Sequence, residues 1–352
     1  MTIMVTGGAG FIGSNFILDW LSKNDEQVIN IDKLTYAGNL QNLKSIESDS
    51  QYIFVKEDIL NRQKITELIK DYNPRYIINF AAESHVDRSI HAPDQFIQTN
   101  IVGTHSLLES IRGFWSDMSS NEKNNFRFLH VSTDEVYGSL DLNDDAFIET
   151  NQYKPNSPYS ASKAASDHLV RAYYKTYNLP VLTTNCSNNY GPFQFPEKLI
   201  PLVLHNALNG KDIPLYGDGM QIRDWLFVID HCNAINAVLK EGKIGEIYNV
   251  GGLNEKTNIE IVNLLCEILD DMLPKSNLTS YKSQITYVKD RAGHDKRYAI
   301  NTSKIERDLN WHPTETFETG IKKTVQWYLD NQSWVKNVTS GDYLTWVARN
   351  YS

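Results

Sequence analysis

The feature that most constrains this chain is a glycine-rich turn at its start, MTIMVTGGAGFIG. The apolar run Ile3–Val5 precedes the turn, and Ser14–Leu21, which has a helical pattern, follows it. Gly7, Gly10 and Gly13 recur at every third position. Glycines at this spacing let the backbone turn tightly and approach a phosphate, while the helix N-terminus faces the anion. Because the turn lies between a strand and a helix, it predicts the first βαβ unit of a dinucleotide-binding fold.

Short apolar runs alternate with amphipathic stretches of helical length through the first half of the chain. The runs are Ile3–Val5, Val28–Ile31, Tyr52–Val55, Tyr76–Phe80, Phe128–Val131 and Val181–Thr184. The predicted helices are Ser14–Leu21, Arg62–Asp71, Phe96–Ile111 and Tyr159–Tyr177. This order predicts an α/β fold with a doubly wound parallel sheet (Rossmann), in which ligands bind at the carboxyl ends of the strands.

Asp32 lies 19 residues beyond Gly13, at the end of the second predicted strand. A carboxylate there accepts hydrogen bonds from a ribose diol and repels a 2′-phosphate, so it favours NAD over NADP. The alternative is that Asp32 only caps a loop. Asp58 follows the third run and is a candidate for the adenine edge; here the alternative is a helix N-cap.

The sequence pattern changes after Asn188, where proline and glycine interrupt segments such as NNYGPFQFP. We predict an NAD-binding Rossmann domain over 1–187, with return segments near 222–250, namely the apolar runs Trp225–Ile229 and Ile247–Val250. A second, smaller mixed α/β substrate domain is expected over 188–352. Within it, Ile259–Met272 and Phe317–Asn331 are expected to be helices.

The composition excludes several classes of function. Lys and Arg number 34 against 43 Asp and Glu, a formal charge of −9 that does not suit a nucleic-acid groove. The three cysteines, Cys186, Cys232 and Cys266, are far apart in sequence and predict neither disulfides nor a metal site, as is typical of a reducing cytoplasm. No uncharged run reaches membrane-spanning length, and the opening apolar run is too short for an export signal.

Tyr159 and Lys163 lie four residues apart in PYSASK and would share one face of a helix. Tyrosine is a poor base at neutral pH, but a nearby ammonium stabilises the phenolate and lowers its pKa. The pair alone is a common match, and the alternative is an exposed helix face. It follows a predicted strand that ends in Ser132-Thr133, where a catalytic hydroxyl would be placed.

TGGAGFIG, YSASK and their separation resemble the extended short-chain dehydrogenase/reductase family over roughly residues 2–330. That resemblance implies NAD in the first lobe and a nucleotide-linked sugar in the second. The segments STDEVYG (132–138), AAESHVDRS (81–89), NNYGPFQFPEKLIP (188–201) and DRAGHDKRYAI (290–300) are similar to the branch that dehydrates such sugars. The acidic pair Asp134-Glu135 distinguishes this branch from the epimerases.

Elimination of water across C5 and C6 of a hexose needs an acidic C5–H, so the 4-hydroxyl must first become a ketone. By resemblance, Tyr159, assisted by Lys163, takes the 4-hydroxyl proton while Thr133 holds the same oxygen. Glu135 then removes the C5 proton and Asp134 protonates the departing 6-hydroxyl. Close like charges split their titrations, which leaves one carboxyl protonated. A solvated turn is the alternative for this acidic pair.

The resemblance also implies the binding residues. For NAD they are Gly7, Gly10, Phe11, Ile12, Gly13, Asp32, Lys33, Thr35, Asp58, Ile59, Ala81, Thr99, Tyr159, Lys163 and Asn189. For the sugar nucleotide, with dTDP-glucose as the expected substrate, they are Ser84, Thr133, Asn188, Lys198, Leu199, Pro214, Tyr216, Arg223, Asn258 and His294. For Arg223, a surface ion pair with Asp224 is the alternative to a diphosphate contact. A homodimer through Phe96–Ile111 and Tyr159–Tyr177 is expected, without metal, nucleic acid or membrane.

Four other functions stay open at this point. A dehydratase acting on a UDP-sugar, an epimerase or a decarboxylase has the same fold. A non-catalytic NAD-binding scaffold would be expected to lack Tyr159 or Lys163, and both are present.

Overall fold

The computed structural model describes residues 1–275 and 280–340. Its strands are β1 (Thr2–Thr6), β2 (Gln27–Asp32), β3 (Tyr52–Lys56), β4 (Tyr76–Asn79), β5 (Arg127–Thr133), β6 (Val181–Cys186), β7 (Asn188–Tyr190), β8 (Ile213–Tyr216), β9 (Ile222–Phe227), β10 (Ile247–Val250), β11 (Glu255–Thr257) and β12 (Ile285–Val288). Its helices are α1 (Phe11–Lys23), α2 (Arg62–Tyr72), α3 (Val86–His91), α4 (Pro93–Phe96), α5 (Thr104–Asp117), α6 (Ser120–Asn125), α7 (Pro158–Tyr177), α8 (Leu199–Leu208), α9 (Val228–Glu241), α10 (Asn258–Met272), α11 (Ser303–Leu309), α12 (Phe317–Asp330) and α13 (Gln332–Val338).

Seven strands form one parallel sheet in the order β10-β6-β5-β4-β1-β2-β3. The chain moves outward from β1 in both directions, so the strand order reverses between β1 and β4. A crevice opens at such a reversal, outside the carboxyl ends of the strands. The predicted doubly wound sheet is therefore confirmed.

The strands are apolar on both faces because helices cover both faces. Ile3 and Val5 of β1 pack with Phe16 and Trp20 of α1 on one side of the sheet. Met4, between them, points to the other side and joins the core under α2, α5 and α7. The continuous apolar runs in the sequence thus reflect burial on two sides.

A second core lies in the later part of the chain, where α8, α10 and α12 pack around two small sheets. One small sheet is β11-β9-β7 and the other is β12-β8. β10 pairs with β6 in the large sheet. Trp225–Ile229 instead ends β9 of a small sheet and begins α9, and α9 packs in the core of α1. The boundary between 187 and 188 stays a prediction.

The segment predicted as one helix over Phe96–Ile111 consists of the end of α4, a π-helical turn at Ile97–Gly103 and most of α5. Such wide turns occur often at functional sites. The turn contains Thr99, which lines the crevice, and Asn100, which accepts from the Glu83 amide at 2.9 Å in the loop before α3. Among the described residues, no helix is both long and apolar enough to cross a bilayer.

Candidate active site

The glycine turn is shaped to lie against a phosphate. Gly7 has φ of +72°, and a Cβ there would lie 2.5 Å from the Ala81 amide nitrogen. A Cβ on Gly13 would lie 2.5 Å from the Gly7 carbonyl oxygen, so α1 could not begin so close to the turn. Any side chain at these two positions would fill or distort the space that the turn leaves at the N-terminus of α1. The residues present therefore fit the dinucleotide that the spacing predicts.

Asp32 ends β2 and is buried. Its carboxylate accepts hydrogen bonds from the amides of Ala9, at 3.0 Å, and Leu34, at 2.8 Å. Burial raises the pKa of Asp32, and the two amides oppose that rise. The Asp32 carboxylate thus caps a loop, which was the alternative role predicted for it. It also lines the crevice where a ribose would bind.

Lys33 and Asp58 lie together at the outer end of the crevice, with 3.5 Å between their charged groups. Lys33 also donates to the Thr99 hydroxyl at 3.1 Å. The N-cap of α2 is Asn61, so the helix-cap alternative for Asp58 is wrong. Asp58 accepts from the Leu60 amide in a local turn instead.

A cavity of about 270 Å³ runs from the glycine turn past the carboxyl ends of β4, β5 and β6. Every residue predicted for NAD lines it. So do the five predicted catalytic residues and three others predicted for the sugar nucleotide, namely Ser84, Asn188 and Lys198. Leu199, Pro214, Tyr216, Arg223, Asn258 and His294 do not line this cavity.

Asp134 and Glu135 lie at the end of β5, in a short 3-10 turn that Thr133 caps. Asp134 is only 2% exposed, so the solvated-turn alternative is wrong. Burial raises the pKa of Asp134 well above its ordinary value, and the neighbouring Glu135 carboxylate adds to the rise. Burial also raises the pKa of Glu135, but Arg291 and Lys198 oppose it. The two carboxyl groups are thus in unlike electrostatic surroundings, as an acid and a base require.

Tyr159 lies in the first turn of α7, which begins with Pro158 after a capping box at Ser157. The ring is buried edge-on against Phe96, with 6.2 Å between ring centroids. Burial, followed by the Glu135 charge, raises the pKa of Tyr159. The expectation that Lys163 brings the pKa of Tyr159 down is therefore not met in this structure.

Lys163 is buried below Tyr159 and donates to the Val131 carbonyl at 2.9 Å. Burial lowers the pKa of Lys163, while the Asp167 charge opposes that effect. The Asp167 carboxylate accepts a hydrogen bond from the Ser132 hydroxyl at 2.8 Å and lies 3.3 Å from the His130 ring. Burial lowers the pKa of His130 to about 4. The sequence analysis missed Asp167 and His130, although Asp167 lies one helical turn after Lys163.

The wall facing the second core carries several cations. Lys198 donates to the Ser84 carbonyl at 2.9 Å, which joins two residues predicted to contact the sugar nucleotide. Arg291, which the sequence analysis missed, pairs with Asp87 at 3.3 Å. Tyr216 also bonds to Asp87, at 3.2 Å. The only sequence signal for Arg291 was its place in the segment that contains His294.

Arg223 is buried and donates to the carbonyl of Asp295 at 3.0 Å, over the ring of Tyr298. It does not pair with Asp224, whose carboxylate accepts from backbone amides, so that alternative is wrong. His294 contacts the Tyr216 ring edge-on and lies 2.6 Å from Asp290. The Asn258 side chain donates a hydrogen bond to the Gln221 side chain. The cavity lining does not include Asn258, Leu199 or Pro214.

Comparison with known proteins agrees with this geometry. A family model described as GDP-mannose 4,6 dehydratase matches residues 4–324. A dTDP-glucose 4,6-dehydratase of Salmonella typhimurium is 56% identical, with 100% of this chain and 99% of that protein covered.

Two solved structures are similar along almost the whole chain. The dTDP-glucose 4,6-dehydratase of Bacillus anthracis, in complex with NAD, has a TM-score of 0.84 and 49% identity, covering 96% of this chain and 99% of that one. DesIV, a dTDP-glucose 4,6-dehydratase of Streptomyces venezuelae, has a TM-score of 0.87 and 43% identity, covering 96% and 100%. The chain therefore belongs to the GDP-mannose 4,6 dehydratase family and, within it, to the dTDP-glucose 4,6-dehydratases.

Proposed function

We propose that this chain uses NAD to convert dTDP-glucose into dTDP-4-keto-6-deoxyglucose, and that Thr133, Asp134, Glu135, Tyr159 and Lys163 carry the reaction. The observation that carries the proposal is the acidic pair beside Tyr159, in which Asp134 is buried and Glu135 is partly buried. A carboxyl group with a raised pKa and a second carboxylate facing cations suit an elimination that needs one acid and one base. The high identity to named dTDP-glucose 4,6-dehydratases supports the same reaction.

Each residue has one task. Tyr159 accepts the proton of the sugar 4-hydroxyl, and Thr133 orients that oxygen. Glu135 removes the C5 proton once C4 is a ketone, and Asp134 gives its proton to the 6-hydroxyl, which leaves as water. NAD, held at the glycine turn and Asp32, supplies the hydride acceptor and donor that makes the ketone temporary.

The cations of the wall would hold the diphosphate. Lys198, Arg223 and Arg291 all act on Glu135 electrostatically, so the positive field reaches the reacting end of the crevice. Guanidinium groups bind phosphate oxygens in pairs, which fixes orientation as well as charge. An epimerase has no task for the acidic pair, which argues against that alternative.

A panel of sugar nucleotides tests the proposal. The purified holoenzyme is incubated with dTDP-glucose, UDP-glucose or GDP-mannose, and the product is identified by mass spectrometry and proton NMR. We expect loss of one water and a 6-methyl signal with dTDP-glucose. Conversion of another nucleotide and none of dTDP-glucose would reject the substrate, and a C4 epimer as product would reject the reaction.

We also propose a homodimer built on Phe96–Ile111 and Tyr159–Tyr177. Ile97, Val102 and Tyr177 lie in these segments and are each about 40% exposed, which supports an apolar contact there. We place the protein in the cytoplasm, where its three buried, free cysteines would stay reduced. The product would feed deoxysugar synthesis, such as that of rhamnose.

A further inference from the structure

The reaction in "Proposed function" takes a hydride from C4 of the sugar and must later return a hydride to C6. Between these two steps, the electrons are held on the reduced cofactor. An ordinary dehydrogenase can release its reduced cofactor, but release here would leave an oxidised sugar in the site with no reductant. The reaction therefore needs a part of the protein that keeps the cofactor in the crevice, separate from the groups that do the chemistry.

The segment 33–42, which we call the cofactor strap, leaves the large sheet after β2 and reaches the second core. Tyr36 packs against that core, although it follows a strand of the large sheet. Farther along the strap, the Trp334 indole donates to the Asn42 side chain at 2.7 Å. Thr35, next to Tyr36, lines the cavity. The strap therefore crosses from one core to the other along the wall of the cofactor crevice.

The Tyr36 ring is held by side chains on both sides of the crevice. Its hydroxyl donates to Glu197 at 2.9 Å, and Glu197 is 5% exposed in the loop before α8. The Arg88 guanidinium lies over the Tyr36 ring, 3.4 Å from its centroid, and 3.2 Å from the second Glu197 oxygen. Phe195 packs edge-on against the same ring, with 5.5 Å between centroids. Phe195 and Glu197 both line the cavity, so the Tyr36 contacts fasten the cavity wall to the strap.

The loop that carries Glu197 is attached at a second point of the same cavity. Lys198, the next residue, donates to the carbonyl of Ser84, and both of these residues line the cavity. Contacts that only stabilise the fold have no reason to lie along the cavity, whereas these contacts must break before its two walls part. A hydrogen bond to a carboxylate is stronger than one between neutral groups, which suits a contact that must stay closed during a reaction.

We infer that Tyr36, by holding Glu197 and the strap together with Arg88, keeps the reduced cofactor in the crevice until the hydride has returned to the sugar. Tyr36 is thus a positioning residue, and hydride transfer itself does not need it. This inference rests on the proposed function, since only a reaction that returns its hydride needs the reduced cofactor to stay.

Tyr36→Phe tests the inference, because it removes the hydroxyl and keeps the ring. Tyr173→Phe is the matched control, since it removes a similar hydrogen bond, to Glu109 at 2.8 Å, that joins α7 to α5. The NAD of each holoenzyme is exchanged for NADH, and release is followed as lactate dehydrogenase and pyruvate oxidise the free NADH. We expect about tenfold faster release from Tyr36→Phe, as for the loss of one hydrogen bond to a carboxylate, and unchanged release from Tyr173→Phe.

A double variant decides whether Tyr36 acts through Glu197. Glu197→Ala should also speed NADH release, and adding Tyr36→Phe to it should have little further effect, because both substitutions remove the same contact. Additive effects would mean that Glu197 holds the cofactor by itself, which would overturn the role of Tyr36. Arg88→Met gives an independent test if Glu197→Ala does not fold, and it should also speed release.

An isotope crossover measures cofactor release during turnover, which a merely structural role would not change. The substrate is dTDP-glucose deuterated at C4, and unlabelled NADH is present in solution. The wild-type product should carry the deuterium at C6, and Tyr36→Phe should give an about tenfold larger share of product without it. Unchanged NADH release, or full retention of deuterium, in Tyr36→Phe would overturn the inference. Absence of product from the wild-type protein would instead reject the proposed function, and the NADH release rates would still test the strap.

Discussion

Asp167 is predicted to be the counterion that lets a charged Lys163 remain buried beneath Tyr159. Lys163 and Asp167 are only 3% and 4% exposed. Burial lowers the pKa of Lys163, and Asp167 is the carboxylate that most opposes this. Asp167→Asn keeps the size and most hydrogen bonds of the side chain but removes its charge. The substitution leaves the Lys163 ammonium without an opposite charge in a water-poor interior.

The expected cost follows from this burial. Loss of the opposing charge should cost about 3 kcal/mol, the lower end of the range for a buried charge left uncompensated, because Asp167 acts on Lys163 across a distance and not in a direct ion pair. Ser132→Ala is the matched control, because it removes the 2.8 Å hydrogen bond to Asp167 and no charge. It should cost about 1.5–3 kcal/mol, the value of a hydrogen bond to a charged group. The double variant Asp167→Asn/Lys163→Met should regain much of the loss, since neither charge then remains.

Urea unfolding followed by circular dichroism gives the free energy of unfolding of each variant. The NAD content of each preparation is measured as well, because a bound cofactor adds stability of its own. The reasoning fails if Asp167→Asn costs no more than Ser132→Ala. It also fails if adding Lys163→Met to Asp167→Asn lowers the stability further instead of restoring it.

Three further predictions concern the cofactor turn, the catalytic base and pH. Gly7→Ala should abolish bound NAD in the purified protein, because the added Cβ would lie 2.5 Å from the Ala81 amide nitrogen. Gly113→Ala is the control, since a Cβ there would meet no neighbouring atom within 4 Å. Normal NAD content in Gly7→Ala would contradict the prediction. Glu135→Gln should keep NAD and still oxidise C4, seen as absorbance of the reduced cofactor, but should not exchange C5–H with deuterated solvent; full product formation would remove Glu135 from its role. Burial raises the pKa of Glu197 to about 7, so the folded state holds a proton that the unfolded state releases near pH 4.3. The free energy of unfolding should therefore fall by roughly 4 kcal/mol as the pH rises between these values. Glu197→Gln should remove that fall, and an unchanged pH dependence of unfolding would show that Glu197 is not its source.

The large sheet and its cofactor turn were predictable because both depend on local sequence. Continuous β-branched runs mark strands that are buried on two faces, and the glycines of the first turn mark a backbone that cannot carry side chains. Spacing on one helix was likewise enough to place Tyr159 and Lys163 on one face. The prediction for Trp225–Ile229 was less complete, because an apolar run does not reveal which sheet it joins.

The electrostatics of the site were decided by the tertiary structure. Asp167 follows Lys163 by one turn of the same helix, so spacing could have found it, but His130 and Arg291 come from other segments, and no spacing in the sequence places them beside Asp167 or Glu135. The pKa of Tyr159 was expected to fall because of Lys163, but burial raises it. The sequence determined which chemical groups are present and the sheet that carries them. Only the folded chain determined their depth, neighbours and charge, because desolvation and Coulomb interactions depend on distances through space and not along the chain.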